Sequence, residues 1–93
     1  MTCNNYSFDT SAIEPYISKI GDASIKEQVK NKLEKVQENP FIGETKSYKL
    51  KGIYAVKVNK QRIVILYKID EEDPCKVVFI DIGSHEDVYR RTF

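Results

Sequence analysis

Ninety-three residues, 41% hydrophobic and 31% charged with a net charge of +1, suit one compact domain spanning 1–93 with a modest core. That balance excludes a disordered chain, and the absence of any apolar run near ~18 residues excludes a helical membrane span. The amino-terminal MTCNNYSFD has no basic region followed by an apolar one, so it does not read as a secretory leader, and a cytoplasmic protein is expected.

In chain order, the alternation of Tyr6 and Phe8 predicts a first strand over residues 4–8. Ser11 and Glu14 have capping-box spacing, Pro15 falls where a first helical turn tolerates it, and Ile13, Tyr16, Ile17 and Ile20 recur at helical spacing before Gly21. Ser24 and Glu27 repeat the box, and Ile25, Val29, Leu33 and Val36 form the apolar stripe of a second helix. That helix should stop near Glu38, because Pro40 disfavours helical geometry at Asn39. Residues 41–46 read as a loop. Strands are predicted over 47–50, 53–58, 61–69 and 75–82, with tight turns at Lys51-Gly52 and Asn59-Lys60 and a longer one through Glu71-Glu72-Asp73-Pro74. The last strand, CKVVFIDI, is almost continuously apolar and should be central. Beyond Gly83 only a tail with one helical turn is expected. The order β-α-α-β-β-β-β gives an α+β fold: an antiparallel sheet with a two-helix hairpin packed on one face.

Charge is unevenly distributed. Residues 45–69 hold seven basic residues and no acid, whereas residues 1–44 carry a net −2 and residues 70–93 a net −4. A basic β-hairpin attracts phosphate or an acidic protein. A two-residue turn at Asn59-Lys60 would set Lys57 directly opposite Arg62, a repulsive pairing unless an anion lies between them. Tyr54, Val56, Val58, Ile63, Ile65, Tyr67 and Ile69 would then share the core face, and Ala55, Lys57, Arg62, Val64, Leu66 and Lys68 the open one. The plainer alternative is that both cations only keep the open face in water.

Cys3 and Cys75 lack CxxC spacing, and His85 is the lone histidine, so no metal or other cofactor is expected. Both thiols should be reduced. His85 stands beside Ser84 and four residues before Tyr89. A histidine, a tyrosine and two cations are groups that metal-free RNA cleavage can use: a base for the 2′-hydroxyl proton, cations for the phosphorane, an acid for the leaving 5′-oxygen.

The segment LKGIYAVKVNKQRIVILYKID, followed by VVFIDIGSHEDVY, resembles the RelE/ParE superfamily of toxin–antitoxin toxins across essentially the whole chain. The likeness lies in the order of Leu-x-Gly, a Tyr-x-Val-Lys-Val strand, an arginine opening the next strand, and Gly-x-His leading to Val-Tyr. It implies a ribosome-dependent mRNA endonuclease, held in a heteromeric complex by a cognate antitoxin. By that resemblance Lys57 neutralises the scissile phosphate, Arg62 stabilises the transition state, His85 works as acid or base, and Tyr89 stacks or assists proton transfer. Lys49, Lys51, Lys60, Lys68, Arg90 and Arg91 would bind mRNA and ribosomal RNA. The sequence departs from the family at Ala55, where some members carry a second basic residue, and at Ile65, where a tyrosine is usual. Two alternatives stand beside the nuclease. One is a ParE-like inhibitor of DNA gyrase, a reading that Gly83-Ser84-His85 and Tyr89 disfavour. The other is a weak relative whose basic face only docks an acidic antitoxin segment.

Overall fold

The computed structural model describes residues 6–45, 52–58, 60 and 62–92. Its elements are β1 (Ser7–Asp9), α1 (Glu14–Ser18), α2 (Ala23–Glu38), β2 (Glu44–Thr45), β3 (Ile53–Val58), β4 (Ile63–Ile69), β5 (Lys76–Ser84) and α3 (His85–Thr92). The strands form one sheet in the order β1-β5-β4-β3-β2. The α+β arrangement is the expected one, with β5 flanked on both sides. One pair departs from the antiparallel expectation: β1 runs parallel to β5, Phe8 opposite Val77, and such a parallel pair is joined by a long crossover rather than a tight turn, here the chain through the helices and β2–β4.

The helices start differently from the predicted capping boxes. Ser11 donates its backbone N–H and its hydroxyl to Asp9, at 3.0 and 2.6 Å, and these bonds hold the Asp9 carboxyl below its usual range. Glu14 accepts from Thr10 instead. At α2 the cap is Asp22, which accepts from Ser24 and Ile25 backbone N–H groups at 2.8 and 3.2 Å. Asp22 directly follows the Gly21 break, where its extended backbone can turn the carboxylate onto the free donors. The second helix ends at Glu38 as Pro40 demands. Its stripe of Ile25, Val29, Leu33 and Val36 packs on Val56, Val58, Ile63, Ile65, Tyr67, Val77, Phe79 and Ile82.

Within the stretch expected to be loop, Glu44 and Thr45 pair with Ala55 and Tyr54. The buried Tyr67 hydroxyl anchors the approach to this short strand, accepting from Gly43 N–H at 3.0 Å and donating to Pro40 C=O at 2.8 Å. Burial pushes the Tyr67 phenol up. The predicted strand over 47–50, the Lys51 turn position and Asn4 lie outside the described residues. Cys75 takes part in a disulfide rather than standing as the reduced thiol expected. Among the described residues no helix is long and apolar enough to cross a membrane.

The hairpin register differs from the predicted one by two residues. Val58 pairs with Ile63, Val56 with Ile65 and Tyr54 with Tyr67, so residues 59–62 all lie between the strand ends. Lys60, at φ 56°, takes the left-handed conformation in this longer connection. A shift of two keeps every side chain on its predicted face. It does not keep the predicted pairs.

Candidate nucleic-acid site at the start of the last helix

The sheet's second face is not open. Ala55, Val64 and Leu66 are fully covered there, packed with Val88 and Tyr89 of α3. The tail expected to hold one helical turn is therefore an eight-residue helix. Ser84 caps it by accepting from the Asp87 N–H at 3.2 Å, and its apolar residues, Val88 and Tyr89, face the sheet.

Two features let α3 lie this close. Gly83, paired with Val64, has no side chain where a Cβ would stand 3.0 Å from Arg91 Nη2 and 3.3 Å from Val88 Cγ2. Upstream, the register between β4 and β5 slips after Leu66, which faces Asp81, whereas Tyr67 faces Phe79. The extra residue, Ile80, is a β-bulge. It delivers Asp81 to the helix side of the sheet, where Arg91 Nε and Nη2 each donate to it at 3.1 Å. This bond to Asp81 raises the already high Arg91 pKa.

Helix α3 carries His85 and Tyr89 on one edge, one turn apart, with ring centroids 4.3 Å apart and planes at 32°. The His85 backbone N–H donates to the Arg62 carbonyl at 3.3 Å. Three of the four predicted catalytic residues thus meet where the β3–β4 connection touches the start of α3. His85 and Arg62 are exposed and Tyr89 is half-buried, an arrangement that leaves polar groups accessible on a rigid footing.

Lys57 does not stand opposite Arg62. It pairs with Val64, because the connection holds four residues rather than two and Arg62 belongs to it. Val64 in turn pairs with Gly83, so Lys57, Val64 and Gly83 form one row across the sheet. Two strand spacings, about 10 Å, separate the ends of that row. Lys57 also lines a depression of about 320 Å³ with Lys32, Ile42, Ala55 and Val56.

The remaining basic residues divide. Lys60 and Lys68 are exposed. Arg91 is committed to Asp81, and Arg90 pairs with Glu86 at 2.7 Å on the solvent side of α3. Arg90 thus bridges one turn of α3, and Arg91 ties the helix to β5, with both side chains still largely exposed. Lys49 and Lys51 lie outside the described residues. No group of three or more metal-ligating side chains converges among the described residues. Asp81 was missed by sequence reasoning because its placement depends on the bulge, and Asp81 in CKVVFIDI carries no local mark of it.

The chain matches the ParE-like toxin of type II bacterial toxin–antitoxin systems over residues 8–92. It belongs to that family, and its fold is RelE-like. A double mutant of Escherichia coli toxin RelE in the free state is 27% identical with a TM-score of 0.65, covering 96% of this chain and 97% of that one. The intact E. coli RelBE toxin–antitoxin complex gives 28% identity and a TM-score of 0.64, covering 86% and 94%. The RelBE2 toxin–antitoxin complex of Mycobacterium tuberculosis shares the fold at 19% identity and a TM-score of 0.65, covering 87% of this chain and 99% of that one. A comparison with curated protein sequences gives no match.

Proposed function

We propose that this toxin is a metal-independent endoribonuclease that cuts mRNA on the ribosome in the cytoplasm, and that a cognate antitoxin holds it inactive in a heteromeric complex. The observation that carries the reading is the junction of Arg62, His85 and Tyr89, with Lys57 one sheet row away. In this mechanism a base takes the proton of a ribose 2′-hydroxyl as its oxygen attacks the adjacent phosphorus. Lys57 and Arg62 stabilise the added charge of the phosphorane, where preorganised cations contribute most. The leaving 5′-oxygen departs with a proton from the acid, giving a 2′,3′-cyclic phosphate and a 5′-hydroxyl. His85 is one proton-transfer group, and Tyr89 either completes the pair or stacks on a base. Lys60 and Lys68, both exposed, extend the positive surface toward RNA, with Lys49 and Lys51 assigned to it from the sequence alone. The antitoxin partner is supported by the family and by the two toxin–antitoxin complexes of the same fold.

The family's ParE-like description supports a second reading, inhibition of DNA gyrase. One experiment separates them. Purified toxin is added to a translating extract without added metal, and in parallel to a gyrase supercoiling assay. Cleaved mRNA with normal supercoiling is expected; intact mRNA with blocked supercoiling would replace this proposal by the second.

A further inference from the structure

A groove of about 360 Å³ opens beside the candidate site, lined by Tyr16, Lys19, Ile20, Gly21, Asp22, Ile25 and Ile63. Its walls are chiefly apolar, and Tyr16 is 38% exposed, whereas Ile13 of the same stripe is fully buried and Ile17 and Ile20 are partly buried against the core. Ile63 ties the groove to the site: it directly follows Arg62, whose carbonyl holds His85, and it pairs with Ser84. Tyr16 ties it from the other side, because a Cβ on Gly83 would stand 4.0 Å from Tyr16 Cε2. Of the charged groups at the rim, Asp22 is occupied in capping α2, and Lys19 is an exposed cation.

We propose that this groove binds an unpaired nucleobase of the RNA next to the cleaved phosphate, with Tyr16 as its stacking platform. The inference rests on the nuclease reading and adds a subsite to it. An aromatic face in an apolar slot accepts any base by its π-surface, while Lys19 at its rim supplies positive charge for an adjoining phosphate. The volume lies in the range of ligand sites. Tyr16 would then fix the position of the nucleotide beside the scissile bond without choosing its base.

The test uses the full chain and a trinucleotide whose central 2′-deoxyribose prevents cleavage, titrated into isotope-labelled protein. Amide shifts are expected at Gly21, Ile25 and Ile63, with roughly tenfold or greater weakening in Tyr16→Ala and near-normal binding in Tyr16→Phe. Thermal unfolding of both variants separates lost stacking from lost folding. Unchanged affinity in a folded Tyr16→Ala, shifts that bypass the groove, or no binding at millimolar trinucleotide would each overturn the subsite. So would occupation of the groove by an antitoxin peptide but not by the trinucleotide. Groove binding without mRNA cleavage in the translating extract would instead reject the nuclease reading while retaining the base-binding groove.

Discussion

Arg91 and Asp81, ten residues apart, form a two-point bond that pins the last turn of α3 to the bulged part of β5. Both partners touch solvent, so the pair contributes little to global stability. Its effect is local, because His85 and Tyr89 ride on the helix it holds. Asp81→Asn should lower the melting temperature only slightly and accelerate hydrogen exchange of the α3 amides. Cleavage should fall by more than the stability change explains. Unaltered exchange in α3 would show that Val88 and Tyr89 hold the helix without the ion pair.

Gly83→Ala tests the other device that lets α3 approach. The new methyl meets Arg91 Nη2 at 3.0 Å and Val88 Cγ2 at 3.3 Å. The arginine tip can swing aside, but Val88 is fully buried and can yield only with the helix. Overpacking of this kind costs about 1–3 kcal/mol. Urea denaturation should show that loss, and the His85 and Tyr89 ring resonances should move with the displaced helix.

Tyr67 links the sheet to the segment that leads into β2, and its removal should be felt at alkaline pH. Its pKa is raised in the folded state, chiefly by burial. The folded protein therefore binds the phenolic proton more tightly than the unfolded chain does. This contribution is complete below the unfolded tyrosine pKa of ~10 and is lost as pH rises through the higher folded value. Tyr67→Phe should flatten that alkaline decline. At neutral pH it should cost about 1–3 kcal/mol, because the buried Pro40 carbonyl loses its donor. Stability curves of both proteins between neutral and strongly alkaline pH check both effects.

Face and pairing were not equally legible in the sequence. Alternation placed Val56, Ile65 and Tyr67 on the core face and Val64 and Leu66 on the other correctly, since a register error of two leaves parity untouched. Loop length was not legible. Asn59-Lys60 satisfies a two-residue turn by composition, yet the chain places Lys60 in the left-handed region of a longer connection. That choice moved Arg62 away from Lys57 and toward His85. The covering of the second face by α3 was hidden for a related reason: Val88 and Tyr89 gain their apolar partners only once the Ile80 bulge and Gly83 bring sheet and helix together.

The revised positions of Lys57 and Arg62 make the strongest test of the proposed active site. Were the two cations directly paired, removing one would relieve repulsion in the other, and the single substitutions would partly compensate. Here Lys57 pairs with Val64 and Arg62 lies in the connection, so they are not a cross-strand pair, and a shared phosphate is the coupling the proposed mechanism requires. Lys57→Ala and Arg62→Ala should each slow mRNA cleavage roughly tenfold to a thousandfold, and His85→Ala similarly. If both cations stabilise one phosphorane, the double variant should lose less than the product of the two single losses. Cleavage rates for the four proteins in the translating extract decide it. Fully multiplicative losses would place Lys57 on a different phosphate, with Arg62 and His85 left to serve the scissile one.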